Sequence, residues 1–257
     1  MKVVAIIQAR LGSTRLPGKM LMLLLDRPVI AWTVQRVRLA EQVDEVVVAT
    51  SRADGDDRLA AWCRDNAVPV FRGSEEDVLD RYYRCAREYG ATHVVRVTGD
   101  CPLCDPRIVD DLVTLCLADD ELEYVTNCEP LTYPEGMGVE VLPVDTLEKA
   151  WRESTLPSHR EHVTPYIRFH PERFRHTAVT SEEDLSHIRL TVDYPEDLMA
   201  LERLTRLLDE RHLVPDFRLS DVVALLDGRP DIQKALSSRE RDLWRLEVAR
   251  DERRPLE

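Results

Sequence analysis

The chain has 257 residues, 44% of them hydrophobic and 32% charged, enough for a sizeable core under a solvated shell and too apolar for global disorder. Its 35 basic and 48 acidic residues leave a net charge of −13, which disfavours a nucleic-acid binder or a binder of anionic membranes. An anionic ligand must therefore meet a local basic pocket and not a basic face.

The β-branched run Lys2–Gln8 predicts a strand buried on both faces. Pro28–Ala40 follows with apolar residues at helical spacing, then a second buried strand at Glu45–Thr50 and a second helix at Asp56–Asn66. Val68–Phe71 reads as extended, Glu75–Tyr89 as helix, Thr92–Val97 as strand and Pro106–Leu117 as helix. This βαβα alternation implies a mostly parallel, doubly wound, Rossmann-like sheet between two helix layers. Beyond Ala118 the rhythm loosens. Strands are expected at Tyr124–Thr126, Gly138–Leu142, Arg173–Val179 and Ile188–Val192. Helices are expected at Asp145–Arg152, His159–Phe169, Pro195–Glu210, Leu219–Leu226 and Ile232–Arg250. We expect one α/β domain over residues 1–215, with 216–257 as its helical C-terminal extension. Val3–Ile7 is too short for a signal segment, and Met20–Leu25 is far below a membrane span. Six cysteines make no dense disulfide framework, so a cytoplasmic protein is expected.

The segment Ala9-Arg-Leu-Gly-Ser-Thr-Arg-Leu-Pro-Gly-Lys19 follows the first strand, where parallel sheets bind ligands. Gly12 and Gly18 let backbone approach a phosphate, and Arg10, Arg15 and Lys19 concentrate positive charge in an acidic chain that has only four lysines. A P-loop has four residues between its glycines and Ser or Thr after the lysine. Here five residues intervene and Met20 follows Lys19, so that reading fails. A second segment, Arg96-Val-Thr-Gly-Asp-Cys-Pro-Leu-Cys-Asp105, ends the fourth strand. Asp100 suits a hard cation such as Mg²⁺, whereas Asp105 suits the cap of the helix opening at Pro106. A third, Arg189-Leu-Thr-Val-Asp193, places another carboxylate between a strand and the helix opening at Pro195; Asp193 is either a metal ligand or that helix's cap. Two such aspartates with a basic glycine loop describe a metal–triphosphate site.

Ala5-Ile-Ile-Gln-Ala-Arg-Leu-Gly-Ser-Thr-Arg-Leu-Pro-Gly-Lys19 resembles the signature of the cytidylyltransferases that make CMP-activated sugars, which include the 3-deoxy-manno-octulosonate and acylneuraminate enzymes. Val48-Ala-Thr-Ser51, Arg96–Leu103, Tyr133–Glu140 and Glu161–Pro165 resemble more closely the spore-coat polysaccharide branch, and the likeness runs from Lys2 to about Leu208. It implies a three-layer nucleotide-diphospho-sugar transferase fold that binds CTP and Mg²⁺. By that likeness the nucleotide meets Ala9, Arg10, Leu11, Gly12, Ser13, Lys19, Arg72, Thr98 and Asp100, while Asp100 and Asp193 hold the metal. The octulosonate and acylneuraminate enzymes usually carry Pro where Gln8 stands.

Other candidates fare less well. Cys101-Pro-Leu-Cys104 has no second pair to complete a zinc site, so buried thiols are expected. His159-Arg-Glu-His162 misses the metalloprotease spacings; His162 is placed toward the acceptor, with a surface or capping role as the alternative. Glu140 either meets an acceptor hydroxyl or simply alternates outward from a strand. In Arg72-Gly-Ser-Glu-Glu-Asp77, Ser74 is expected to cap the next helix. The expected reaction is CMP transfer from CTP to a sugar acid, sugar phosphate or phosphonate, releasing pyrophosphate, in surface polysaccharide or glycoconjugate synthesis. Lys19 and Arg15 steady the departing phosphates and Asp100 holds metal, so the expected partners are CTP and a small anionic acceptor, with no nucleic acid and no membrane. A homodimer is carried as the expected assembly. The alternative is a regulatory protein that keeps the nucleotide cradle without turnover.

Overall fold

The computed structural model describes residues 1–237 and 243–252. In chain order it forms β1 (Val3–Gln8), a small hairpin of β2 (Leu23–Leu24) and β3 (Arg27–Pro28), α1 (Val29–Val37), β4 (Glu45–Ser51), α2 (Asp57–Asp65), β5 (Val70–Gly73), α3 (Val78–Glu88), β6 (His93–Thr98) and α4 (Pro106–Leu117). The second half contains β7 (Tyr124–Thr126), β8 (Glu140–Pro143), α5 (Val144–Glu153), α6 (Pro157–His162), α7 (Pro165–Arg168), β9 (His176–Ala178), α8 (Pro195–Glu210), α9 (Leu219–Asp227), α10 (Pro230–Ser237) and α11 (Leu243–Glu252). Among the described residues the main sheet has seven strands in the order β5-β4-β1-β6-β8-β7-β9. Strands β5, β4, β1 and β6 are parallel, β8 runs against both of its neighbours, and β9 is parallel to β7.

Strand alternation sorts the core into two layers. Ala5, Ile7, Val46 and Val48 point into one cluster with Trp32, Leu59, Leu112 and Leu204. Val4, Ile6, Val47 and Ala49 point into the other with Leu79, Tyr82, Leu147 and Phe174. Helices therefore cover both faces, as both-face burial of parallel strands requires. Phe217, Val222, Leu226, Ile232 and Leu236 belong to the first of these clusters, so α9 and α10 share the core of the sheet.

Three expectations need correcting. Ile188–Val192 is extended but joins no sheet; its one bridge is Glu135 with Arg189, supported by Leu190 N–H donating to Glu135 O at 2.7 Å and Val192 N–H to Asp100 O at 3.0 Å. Ile188, Leu190 and Val192 bury into the core, which turns Arg189, Thr191 and Asp193 the other way. Gly136 permits this approach: its φ is +99°, and a Cβ there would lie 2.8 Å from the Leu190 carbonyl carbon. The stretch His159–Phe169 is two helices, because Pro165 cannot continue one and Val163 turns the chain at φ 73°. Asp77 rather than Ser74 caps α3, accepting from Asp80 N–H at 2.8 Å, while the Ser74 hydroxyl accepts one turn earlier from Asp77 N–H. Asp105 caps α4 as expected. The helix expected across Ile232–Arg250 falls partly on 238–242, outside the described residues.

Arg36 on α1 is fully buried. It donates to the carbonyls of Cys104, Pro215 and Phe217, and its guanidinium lies 3.7 Å from the Phe217 ring centre. Burial depresses its pKa to about 10 despite the nearest carboxylates. We expect Arg36→Met to remove about 2–4 kcal/mol of unfolding free energy, since several buried carbonyls lose their donor. Denaturant titration checks this, with limited proteolysis expected to cut earliest after residue 215; an unchanged midpoint would contradict it.

Candidate active site

A cavity of about 590 Å³ opens at the carboxyl ends of β1 and β6. Its walls are the 9–20 loop, the 133–140 segment, α6, α7 and the extended 186–194 segment. Gly18, at φ 78°, lets the loop fold back, with Gly18 N–H donating to Leu11 O and Lys19 N–H to Leu16 O. That return carries Lys19, 5% exposed, to the cavity wall.

There its ammonium donates to Asp100 Oδ2 at 2.7 Å, Asp193 Oδ1 at 2.9 Å and Val192 O at 2.7 Å. Two carboxylates 93 residues apart in the sequence thus converge on one positive nitrogen. Burial alone would lower the Lys19 pKa, but the two carboxylates outweigh it and raise it. Asp193 also accepts from Arg15, at 2.5 Å, and from Arg189. These cations overcome the opposing effect of burial and hold its carboxyl well below the usual range. Asp193 is not the cap of α8: Asp197 accepts from the N–H groups of Asp193 and Tyr194 at 2.9 Å.

The opposite wall is built on Glu140, only 1% exposed. It accepts from Arg96, Arg168, the Tyr124 hydroxyl and the Thr164 hydroxyl. Burial favours its neutral form, yet Arg96 and Arg168 lower its pKa to about 2 from an ordinary 4.5. Both oxygens are therefore engaged by the protein, and Glu140 fixes two arginines at the cavity floor.

The cavity gathers Ala9, Arg10, Ser13, Arg15, Lys19, Thr98, Asp100, Glu140, His162 and Asp193 from the residues singled out in the sequence. Leu11, Gly12 and Arg72 do not line it. Leu11 N–H donates to Asp56 at 2.6 Å. The Arg72 guanidinium is spent on Ser51 O, Ala53 O and Asp57, bracing the loop after β4. His162 Nε2 lies 3.0 Å from Glu247 Oε2, so α11 closes one side of the mouth. Sequence reading missed Arg81, Arg96, Arg168 and Arg189. Arg96 and Arg189 were findable by alternation, two before Thr98 and four before Asp193; Arg168 gave no such signal. None of the six cysteines is in a disulfide, and burial pushes Cys104 up to about 12 and Cys101 higher than usual, which keeps the pair as thiols. No helix among the described residues is long and apolar enough to cross a membrane.

The profile of a family described as cytidylyltransferase matches residues 4–223. The spore coat polysaccharide biosynthesis protein SpsF of Bacillus subtilis is 36% identical over 245 residues, covering 92% of this chain and 98% of its own length. A 3-deoxy-manno-octulosonate cytidylyltransferase of Psychrobacter cryohalolentis is 37% identical over 131 residues, 49% of this chain and 47% of that protein. A solved cytidylyltransferase structure from Leptospira borgpetersenii superposes with a TM-score of 0.87 at 35% identity, covering 94% of this chain and 99% of that one.

The Glu140 cluster makes a stability statement. Its folded pKa of about 2 lies below the ordinary 4.5, so its charge stabilises the fold fully above about pH 4.5, and that contribution disappears as pH falls through 2. Glu140→Gln leaves Arg96 and Arg168 buried without their counter-ion, and we expect it to cost about 3–5 kcal/mol at neutral pH. Denaturant midpoints from pH 7 to 2 should then show a flatter acid limb than the parent chain; parallel curves for both proteins would contradict this.

Proposed function

Because the chain belongs to the cytidylyltransferase family, we propose that it transfers CMP from CTP to a small anionic acceptor with Mg²⁺ and releases pyrophosphate. The observation that carries this reading is the convergence of Asp100 and Asp193 on the Lys19 ammonium. A positive centre already sits between two hard oxygen donors, the donor chemistry that suits Mg²⁺. Asp100 and Asp193 would hold the ion, which when bound screens the triphosphate charge and orients its α-phosphate.

The chain's own residues do the rest. In the proposed reaction the Lys19 ammonium turns from the carboxylates to the departing β- and γ-phosphates. Arg15, 40% exposed at the cavity edge, joins it there. An acceptor oxygen attacks the α-phosphorus as the bond to pyrophosphate breaks, so positioning and charge neutralisation supply most of the rate. Arg96 and Arg168 share the Glu140 carboxylate, with Glu129 3.9 Å from Arg168, and present guanidinium donors suited to a sugar acid, sugar phosphate or phosphonate. A phosphate or phosphonate oxyanion attacks with no proton to lose and needs no general base, whereas a sugar-acid hydroxyl would pass its proton to solvent or to the departing pyrophosphate. The likeness to a spore coat polysaccharide protein supports a place in surface polysaccharide or glycoconjugate synthesis.

Pyrophosphate release from each nucleoside triphosphate, screened against sugar acids, sugar phosphates and phosphonates, tests the reading. CTP should be the productive donor. Asp100→Asn and Asp193→Asn should each cut turnover by about a hundredfold or more. The double variant should be little worse than either alone, because the two act as a unit. Additive losses, or a preferred donor other than CTP, would contradict it.

A further inference from the structure

The cavity wall beneath the 9–20 loop carries polar atoms that the fold does not satisfy. Gln8 Oε1 and Arg81 Nε are both buried and have no hydrogen-bond partner. Gln8 is the last residue of β1, and its side chain leaves the sheet on the face of Val4 and Ile6, toward α3. Arg81 lies on α3 beside Val78, and all three line the cavity. Arg81 is 2% exposed, donates through Nη1 to Ser74 O at 2.8 Å, and packs its stem against Gly73. No carboxylate among the described residues reaches ion-pair distance of it. Burial lowers its pKa, and the positive charge of Arg10, two residues along the chain from Gln8, pushes the same way.

A buried acceptor and a buried donor left open on one cavity wall each cost about 1–3 kcal/mol unless a ligand completes them. We propose that Gln8 reads the cytosine base: its Oε1 accepts from the exocyclic amine, and Arg81 Nε–H donates to the adjacent ring nitrogen. This rests on the CTP-dependent reading above and deepens it. A glutamine alone does not separate cytosine from uracil, because its amide offers an acceptor or a donor according to which way it is turned. The guanidinium removes that freedom, since it only donates. Beside a fixed donor, the ring N–H of uracil meets another N–H, whereas the cytosine ring nitrogen accepts. Gln8 pairs in register with Thr98 on β6, and Arg96 and Glu140 pair one strand further on. The base wall therefore lies at β1 and α3, and the Arg96–Glu140 floor lies on the same face of the sheet, further across it on β6 and β8.

The test is calorimetric binding, with Mg²⁺, of CTP, UTP and the CTP analogue that has hydrogen in place of the exocyclic amine. It uses the full chain, Gln8→Met and Gln8→Glu, with nucleotide-free melting temperatures as the folding control. The parent chain should prefer CTP to UTP, ATP and GTP; failure of that preference removes the cytidylyltransferase reading and this inference with it. With that preference present, Gln8→Met should bind CTP at least tenfold more weakly, about 1.4 kcal/mol, and bind the analogue as the parent does. Gln8→Glu keeps an oxygen acceptor and cannot donate, so it should retain the preference for CTP over the analogue. Equal loss of CTP and analogue in Gln8→Met, unchanged CTP affinity, or loss of the preference in Gln8→Glu would overturn the assignment.

Discussion

A buried ammonium has to be neutralised, and at Lys19 that requirement draws three distant parts of the chain to one point. Asp100 comes from the end of β6, Asp193 from the extended segment before α8, and Lys19 from the loop after β1. Removing one charge from such a cluster strands the others in a poorly solvating site. Arg15 and Arg189 reinforce Asp193, so its carboxylate stays charged far into acid. The mouth of the cavity is thus electrostatically assembled before any nucleotide arrives, which spares the ligand that reorganisation.

A second buried cluster repeats the rule on the opposite wall of the same cavity. Glu140 sits opposite Arg96 in the β6–β8 pairing and takes Arg168 from α7. Glu140, and Glu129 at 3.9 Å from Arg168, offset these two guanidinium groups, so the cluster concentrates donors and not surplus charge. With Arg10, Arg15, Lys19, Arg81 and Arg189 lining the same cavity, basic donors gather at one place where an acidic protein can bind an anion.

Much of this was legible because strands and loops carry local signals. The β-branched runs located β1, β4 and β6, and the 9–19 loop followed from its glycines and cations. Its motif also pointed to the family to which the chain belongs. Asp100 was readable as a carboxylate at a strand end. Asp193 was readable for a partly mistaken reason, since the segment before it is extended but lies outside the sheet. What escaped depends on contacts distant in sequence. Arg168 meets Glu140 only because α6 and α7 break at Val163 and Pro165, and Glu247 meets His162 only because α11 returns across α6. Arg72 misled because a basic residue after a strand looks the same whether it faces a ligand or braces a loop.

The most direct test of the account is Mn²⁺ titration followed by water-proton relaxation, with and without CTP, in the parent chain and in Asp100→Asn. Mn²⁺ takes the same oxygen donors and is visible by its paramagnetism. We expect one tight Mn²⁺ site that forms with CTP in the parent and is lost in Asp100→Asn, a variant that still shows a cooperative, nucleotide-free melting transition at the titration temperature. Tight, CTP-linked Mn²⁺ binding that survives Asp100→Asn would contradict the account.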